Sequence, residues 1–435
     1  MYKVLQEIGC GGFGQVNLIE YLNGAQAAKK TFRPQTSLEI SLIDNVRKRF
    51  VREVSILSGI NHANIMPILD SDLENNPPSY IMPLADGSLA DDIPYLKTNI
   101  KEALVALLDI LAGLEELHSL DILHRDLKPQ NILRLGDNYV ISDFGLVSLK
   151  DTQISALTQT GLRMGSDFYT APEIVEELRN ATKATDIYSF GCILHDLFGT
   201  RSRVPCQTVT DPNSRVADII EICTRQNPAQ RFSNVTDLRE VLVESLSDSD
   251  DHLDVSQSAL NFREYLLNTR EYDEYTLQKI VKYLEDDIHD DDSYYIFNEL
   301  SNETIEKILI FPDVAIRFAS VYASWVREIS HDFTKCDVIA SKLEKFYISL
   351  SDVGLKAHIL LAWLIMGASH NRWYVEEKFM KYAIEANDRV CKRFTLEARV
   401  IGHREVCARL NHLERSISTS RNKLPVTLRD YFGDS

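Results

Sequence analysis

The stretch His124-Arg-Asp-Leu-Lys-Pro-Gln-Asn131 gathers an aspartate, a lysine and an asparagine within six residues. A carboxylate, an ammonium and an amide so close together can accept a proton, neutralise an anion and coordinate a metal ion. A second aspartate follows twelve residues later, in Asp143-Phe-Gly145. Loop aspartates most often cap turns, which is the structural alternative for both of these carboxylates. The sequence around the stretch decides between the two interpretations.

A glycine-rich segment, Gly9-Cys-Gly11-Gly-Phe-Gly14-Gln-Val16, lies upstream of this stretch. Glycines at these positions allow the backbone to approach phosphate groups closely. Alternating apolar residues on both sides, from Val4 to Ile8 and from Val16 to Tyr21, predict a hairpin of two strands. In dinucleotide-binding folds such glycines open a helix, so the hairpin context disfavours that class. An ordinary glycine-rich turn remains the alternative for this segment taken alone.

Two lysines follow on a predicted third strand, in the run Ala27-Ala28-Lys29-Lys30. A lysine here can hold nucleotide phosphates, and the register Ala27-x-Lys29 favours Lys29 over Lys30. The segment Phe50–Leu57 predicts an amphipathic helix that carries Glu53 as a partner for the lysine. An ordinary solvated helix residue is the alternative for this glutamate.

Three more motifs follow in order: Gly165-Ser-Asp-Phe-Tyr-Thr-Ala-Pro-Glu173, Asp186-Ile-Tyr-Ser-Phe-Gly191 and Asn227-Pro-Ala-Gln-Arg231. The whole ordered set resembles the eukaryotic-like serine/threonine protein kinase family, as a bacterial-type member with a C-terminal helical domain. The resemblance covers roughly residues 1–245. It implies an α+β bilobal protein kinase fold, with a β-rich N-lobe and a helical C-lobe, followed by an all-α domain.

The resemblance assigns roles in phosphoryl transfer from ATP to the motif residues. Asp126 would orient the substrate hydroxyl and accept its proton, and Lys128 would stabilise the migrating phosphate. Lys29 would hold the α- and β-phosphates, with Glu53 as its partner.

The resemblance also implies the groups that bind the cofactors ATP and Mg²⁺, with Mn²⁺ as an alternative. Asp143 and Asn131 would bind the metal, since oxygen donors suit Mg²⁺. Met82 would be the gatekeeper beside the adenine. The other contacts with ATP would come from four residues of the glycine-rich segment and from one backbone N–H beside the adenine: Gly9, Gly11, Gly14 and Val16, and the N–H of Ala85.

Further residues would determine which hydroxyl groups accept the phosphate, and others would stabilise the fold. Lys128 and Ser166 are features of serine/threonine kinases in the family that the chain resembles. Glu173 and Arg231 would form a buried structural ion pair, and Asp186 would brace the catalytic loop.

Regulation is implied by an arginine and two threonines. Arg125 would receive a phosphate from the activation segment, and Thr158 and Thr160 resemble the paired threonines that bacterial members autophosphorylate. A phosphate there would add charge that Arg125 can pair with. Ordinary loop polarity is the alternative for these threonines.

The chain divides into three parts by composition. Residues 1–245 form the predicted kinase domain, residues 246–255 an acidic linker, and residues 256–435 a helical domain with either a regulatory or a partner-binding role. The sequence does not separate these two roles, and it leaves the oligomeric state open.

Bulk properties point to a cytoplasmic protein. Acidic residues outnumber basic ones 64 to 47, and the net charge of −17 argues against a nucleic-acid or anionic-membrane binder. Seven irregularly spaced cysteines predict reduced thiols. We expect no signal peptide and no membrane-spanning segment, because the longest apolar run is far below about 20 residues.

Three functional classes remain in view. The first is an ATP-dependent protein serine/threonine kinase that acts on protein substrates. The second is an interaction protein in which the kinase fold is a scaffold and the helical domain acts. The third is a small-molecule kinase, which Lys128, Ser166 and the Ala171-Pro-Glu173 element disfavour.

Overall fold

The computed structural model describes residues 2–10, 14–33, 40–143, 168–175, 180–246, 255–286, 291–298 and 300–433. The chain forms two compact units, Met1–Leu246 and Ser247–Ser435. Leu246, the first residue of the predicted linker, is the last residue of a helix in the first unit and is buried.

The first unit begins with an antiparallel sheet. Its strands are β1 (Tyr2–Cys10), β2 (Gly14–Tyr21), β3 (Gln26–Phe32), β4 (Asp70–Asp72) and β5 (Ser79–Pro83), in the order β1-β2-β3-β5-β4. Helix α1 (Ile40–Leu57) packs its apolar face into the same core as the sheet. That core consists of apolar side chains from α1, β3, β5 and their neighbours: Ala28, Phe32, Val46, Phe50, Val54, Met66, Tyr80, Met82 and Val140.

The rest of the first unit is mainly helical. Its elements are β6 (Gly87–Ser88), α2 (Leu89–Leu96), α3 (Ile100–Ser119), β7 (Ile132–Leu135), β8 (Asn138–Ile141), α4 (Lys183–Phe198), α5 (Ala217–Cys223) and α6 (Val235–Leu246). Helix α3 packs against β8, α4 and α6, and nearly all of its apolar residues are buried. The chain between α3 and β7 contains the catalytic-loop motif, His124–Asn131, so the motif directly follows a helix whose apolar residues are nearly all buried.

The described part of the second unit is helical throughout. Its helices are α7 (Gln257–Asn268), α8 (Glu274–Asp286), α9 (Asp291–Asn298), α10 (Asn302–Leu309), α11 (Pro312–Glu328), α12 (Cys336–Ser349), α13 (Val353–His370), α14 (Trp373–Ile384), α15 (Asp388–Ile401), α16 (His403–Ser416) and α17 (Val426–Phe432). Helix α13 is central, because α11, α12, α14, α15 and α16 all pack against it. The predicted fold class, a β-rich lobe and a helical lobe followed by an all-α region, is confirmed.

Helix α13 is also long and apolar enough to cross a membrane, and it alone among the described residues has this length and composition. Most of its residues are buried inside the helical unit. Burial among other helices accounts for such a composition as well as a bilayer does.

Candidate active site

The catalytic-loop motif is held together by hydrogen bonds to Asp126. Lys128 Nζ lies 2.7 Å from Asp126 Oδ2, and Asn131 Nδ2 donates to the same oxygen at 3.0 Å. The Asn131 amide also donates to the backbone carbonyl of Asp126 at 2.8 Å. These contacts fix the orientation of a carboxylate that is one-third exposed, so Asp126 can meet an incoming hydroxyl group.

His124 holds this loop from below as a neutral imidazole. Its Nε2 donates to the carbonyl of Ser142 at 3.0 Å, and its Nδ1 accepts from the backbone N–H of Asp126 at 3.3 Å. The side chain is fully buried, and burial lowers its pKa despite the nearby carboxylates. A neutral ring with its proton on Nε2 satisfies both contacts, which connects the catalytic loop to the chain just before Asp143.

Asp186, at the start of α4, holds the backbone of the loop. Its buried carboxylate accepts from the backbone N–H groups of His124 at 3.0 Å and Arg125 at 2.8 Å. His118 Nε2 donates to the same carboxylate at 2.8 Å, a contact that the sequence did not indicate. Burial alone would raise the pKa of Asp186, but these hydrogen bonds and the histidines lower it. The carboxylate is therefore ionised and supports Arg125, whose φ of 66° is unusual for a side chain with a Cβ atom.

The residues predicted to bind a metal ion lie side by side. Asn131 Nδ2 approaches the backbone carbonyl of Asp143 at 3.4 Å, and the Asp143 carboxylate is 44% exposed. Because the amide nitrogen of Asn131 is committed to Asp126, its oxygen is directed elsewhere and has no hydrogen-bond donor among the described residues. One carboxylate and one amide oxygen fit Mg²⁺, which binds through few protein ligands and keeps several waters. No group of three or more His, Cys, Asp or Glu side chains in the described chain forms a rival metal site.

The lysine in the site is Lys30, and the choice of Lys29 from the sequence is wrong. Lys30 Nζ forms an ion pair with Asp143, whereas Lys29 Nζ lies 2.8 Å from the hydroxyl of Tyr2 on β1. Side chains alternate between the two faces of a strand, so neighbouring lysines on β3 cannot reach the same site. The correct register is Ala28-x-Lys30.

Packing around β3 explains this register. Ala28 and Phe32, which share the face of Lys30, belong to the core beneath the sheet, whereas Ala27 packs on the opposite face with Ile19 and Ile81. Gly14 on β2 lies directly over the Lys30 stem, where an added Cβ atom would come within 3.0 Å of Lys30 Cε. The glycine at position 14 therefore gives the lysine room to extend toward Asp143.

Glu53 faces this lysine from α1 without touching it. Among the described residues no ion pair joins Glu53 to Lys30. Burial lowers the pKa of Lys30, but the acidic groups of Tyr80, Asp143 and Glu53 together raise it above its usual value. Burial raises the pKa of Glu53 to about 8, and Lys30 opposes this rise. The predicted Lys29–Glu53 pair is not present among the described residues: the lysine near Glu53 is Lys30, and its ion-pair partner is Asp143.

The residues predicted to surround the nucleotide lie around the same lysine. Val16 packs on the core beneath the sheet, Met82 is buried on β5 opposite Ala28, and Gly9 lies opposite Val16 on β1. Ala85 follows β5, and its N–H makes no backbone hydrogen bond within the described chain. That N–H is therefore available to an acceptor on a ligand.

An ion pair between Glu173 and Arg231 connects the Ala-Pro-Glu element to the chain between α5 and α6. Arg231 Nη1 and Nη2 each lie 2.8 Å from an oxygen of Glu173, and Thr185 donates to the same carboxylate at 2.9 Å. Arg231 also donates to the carbonyls of Arg225 and Ala184, each at 2.8 Å. This network fixes the Ala-Pro-Glu element itself against the start of α4, which is a structural role.

Four of the predicted site residues lie outside the described residues: Gly11, Thr158, Thr160 and Ser166.

Comparison with known proteins agrees with this geometry. The family model described as "Protein kinase domain" matches residues 2–284. The chain is 34% identical over 200 residues to serine/threonine-protein kinase 36 of Pongo abelii, which covers 45% of this chain and 14% of that protein. It is 33% identical over 203 residues to the probable serine/threonine-protein kinase PknB of Lactococcus lactis, covering 45% of this chain and 31% of that protein.

A third relative, mitogen-activated protein kinase 2 of Pneumocystis carinii, is 34% identical over 212 residues, covering 47% of this chain and 58% of the relative. The chain therefore spans less than two thirds of the length of each of these curated relatives. The similarity to each of these three relatives covers somewhat less than half of the present chain.

Proposed function

We propose that this chain, which belongs to the protein kinase family, transfers the γ-phosphate of ATP to serine or threonine hydroxyls of protein substrates. The observation that carries the proposal is the position of Asp126, which Lys128 and Asn131 hold in place beside Asp143 and its partner Lys30. The named serine/threonine kinases among the relatives support the acceptor class.

In this proposal each charged group has one task. Asp126 orients the acceptor hydroxyl and takes its proton as the new phosphate bond forms. Lys128, 2.7 Å from Asp126, stabilises the charge on the transferring phosphate, and Lys30 binds the phosphates that remain with the nucleotide. Asp143 and Asn131 hold a divalent metal ion, which supplies charge neutralisation on the phosphates.

Members of this family use ATP and a divalent metal ion, and we propose Mg²⁺ as the metal, with Mn²⁺ as an alternative. The oxygen-only donor set of Asp143 and Asn131 supports a hard cation. A cytoplasmic location is also a proposal. It is supported by the seven cysteines, all of which are free.

The decisive experiment is phosphoryl transfer from labelled ATP and Mg²⁺ by the purified chain. We expect acid-stable label on serine or threonine, and an Asp126→Asn substitution should reduce the rate at least about 100-fold. Asp137→Asn, in the exposed turn between β7 and β8, makes the same chemical change away from the site and should retain the rate. Equal rates for the two variants would refute the proposed role of Asp126.

We also propose that the chain autophosphorylates Thr158 or Thr160. The support is Arg125, whose guanidinium Nε and Nη1 are buried and have no hydrogen-bond partner among the described residues. Burial lowers the pKa of this guanidinium, with Asp186 opposing, so a nearby anion would stabilise its charge. Mass spectrometry of an active preparation should find phosphate on one of the two threonines, and their absence from the phosphorylated sites would remove the proposal.

For residues 256–435 we propose a regulatory or partner-binding role. The support is a set of apolar side chains exposed on its helices, among them Ile310, Ile348 and Val400. Ending the chain at residue 255 separates the two roles. A rise in peptide phosphorylation would identify restraint of the kinase, and an unchanged rate would favour partner binding.

A further inference from the structure

A groove runs along the first unit from the end of the catalytic loop. It has a volume of about 540 Å³ and lies between α2, the C-terminal end of α4 and the segment that precedes the Ala-Pro-Glu element. Gln130, directly before the metal-site residue Asn131, lines its floor, and Phe168 and Tyr169 line one side. Because Asn131 donates to Asp126 at 3.0 Å, the groove begins close to this carboxylate, and residues that flank an acceptor hydroxyl can reach it.

The lining of the groove carries more positive than negative charge. Lys97, Arg201 and Arg203 are its basic residues and Asp196 is its acidic residue, which leaves a formal charge of 3 − 1 = +2. This excess is local, because the whole chain has a net charge of −17. His195 also lines the groove, and burial together with Arg203 lowers its pKa, so it is neutral at pH 7.

The acidic residue in the lining is already neutralised within the protein. Asp196 forms an ion pair with Arg203 and accepts a hydrogen bond from the Tyr169 hydroxyl at 2.6 Å. Arg203 also donates to the Phe168 carbonyl at 3.3 Å and stacks 4.9 Å from the centroid of the Tyr169 ring. Asp211, behind His195, is buried and accepts from the hydroxyl of Thr200 at 2.7 Å. Neither carboxylate is therefore available to a basic substrate residue.

Two cations of the lining remain unpaired. Lys97 follows α2 and Arg201 follows α4, and both are exposed. Within the described chain neither side chain forms a hydrogen bond or an ion pair, although the Arg201 backbone N–H donates to Asp211. Exposed cations beside a groove attract anions and repel cations, and thus select among partners.

We propose that this groove selects acidic substrates, in which an anionic side chain near the acceptor hydroxyl contacts Lys97 and Arg201. The proposal deepens the kinase function proposed above and rests on it. The shared chemistry of the ligand is a carboxylate or phosphate group on a protein segment. A basic segment is disfavoured, because among the described residues of the groove it would meet two unpaired cations and no available carboxylate.

The test measures peptide binding, so that it does not depend on turnover. Three fluorescein-labelled peptides share one serine acceptor, and their flanking residues are glutamate, phosphoserine or lysine. Fluorescence anisotropy with the full chain should show roughly tenfold tighter binding of the glutamate and phosphoserine peptides than of the lysine peptide. A difference between the first two distinguishes carboxylate from phosphate selection.

Charge reversal tests the two named residues. The double variant K97E/R201E should reverse the preference. The neutral double variant K97Q/R201Q should abolish the preference, and it serves as the test if the charge reversal prevents folding. The matched control K3E/K48E makes the same change of charge on exposed lysines of β1 and α1, and should retain the preference.

The outcomes separate this proposal from the kinase function. Equal binding of acidic and basic peptides by the unmodified chain, or an unchanged preference in K97Q/R201Q, overturns the acidic-substrate proposal. Loss of phosphoryl transfer with an intact binding preference would instead contradict the proposed kinase activity.

Discussion

At the residue scale, the two lysines of β3 offer a matched pair for testing the site. Lys30 contacts Asp143 beneath the sheet, and Lys29 contacts Tyr2 on the other face. The two side chains have the same chemistry and neighbouring positions. They differ in the surface that each side chain reaches.

Substituting the two lysines in turn should therefore have unequal effects. Lys30→Met should lower kcat/KM for peptide phosphorylation at least about 100-fold, because the cation beside Asp143, the aspartate proposed to bind the metal, is lost. Lys29→Met should change it by less than about threefold. Steady-state kinetics with both variants at matched fold content decide the point, and a larger loss for Lys29→Met would contradict the assignment.

The register of these lysines shows the limit of sequence reasoning at this scale. The run Ala27-Ala28-Lys29-Lys30 repeats each residue type once, so either alanine–lysine pair fits an alternating strand. A usable signal was present two residues on. Phe32 is large and apolar and shares a face with Lys30, so it marks the side of the strand that packs on α1.

Glu376 on α14 is a buried carboxyl group in the helical unit. Its Oε2 accepts a hydrogen bond from Ser416 at 2.6 Å, and its Oε1 lies 3.6 Å from His412 Nε2, beyond hydrogen-bonding distance. Burial raises the pKa of Glu376 to about 7, with Ser416 opposing. The folded state therefore keeps a proton at pH values where the unfolded chain has released it.

The resulting dependence on pH has a definite sign. The contribution of Glu376 to the free energy of unfolding is fully present below its ordinary pKa near 4.5 and is lost as the pH rises to about 7. The helical unit should lose about 2–3 kcal/mol across this range, and Glu376→Gln should flatten that loss. Denaturant unfolding followed by tryptophan fluorescence can measure it, because Trp325, Trp363 and Trp373 all lie in this unit. An unchanged pH profile in the variant would contradict the assignment.

At the element scale, the contact between α4 and α5 depends on a glycine. A Cβ atom added to Gly191 would lie 2.5 Å from Cys223 Cβ and 3.0 Å from Thr224 Cγ2. Both partners are fully buried, so neither side chain has space to move away. The close approach of these two helices therefore requires glycine at position 191.

We expect Gly191→Ala to destabilise the first unit by about 1–3 kcal/mol, because overpacking exceeds the gain in helix propensity. Gly59→Ala is the matched control, since its new Cβ atom would lie 3.4 Å from the Ile56 carbonyl oxygen. The control should shift stability by less than about 0.5 kcal/mol. Thermal inactivation of phosphoryl transfer can compare the two, and equal inactivation temperatures would show that α4 and α5 adjust freely.

The elements themselves were predicted unevenly. The predicted hairpin from Val4 to Tyr21 is present, and β2 buries Ile19 in the core. Strand β1 departs from the expected alternation, because it is largely exposed and its pairing with β2 shifts register twice. Helix α1 extends over Ile40–Leu57 and so begins ten residues before the predicted start at Phe50. Its earlier turns are rich in charged residues, and Val46 is the fully buried residue there that joins the core. The contacts of His118 with Asp186 were missed, because only the folded chain brings α3 and α4 together.

At the scale of the whole molecule, the chain contains two compact units with separate cores. A ligand that binds only the folded first unit stabilises that unit by mass action. All three tryptophans report on the second unit, so the two can be followed independently.

We expect ATP with Mg²⁺, at about 100 times its Kd, to raise the unfolding temperature of the first unit by about 5 °C. The tryptophan-detected transition should remain unchanged. Differential scanning calorimetry beside tryptophan fluorescence measures both, with the Asp143→Asn variant as the control that weakens metal binding. A nucleotide-dependent shift of the tryptophan signal would show that the two units unfold as one.

Sequence reasoning reached the family of the first unit and only the helical character of the second. Motif residues such as Asp126 and Asp143 have narrow chemical requirements, and a sequence therefore reveals them directly. The tryptophans and aliphatic residues of the second unit report burial alone, and many functions are compatible with a packed helical core.

Helix α4 carries Asp186 at one end and the groove residue Asp196 at the other, ten residues and about 15 Å apart. The first end supports the proposed reaction centre, and the second supports the surface that we propose to meet the substrate. In a redesign, the helix could be kept unchanged while the short segment that follows it, residues 199–203, is exchanged. Retargeting the enzyme would then require a graft of a few residues, while the catalytic machinery stays as it is.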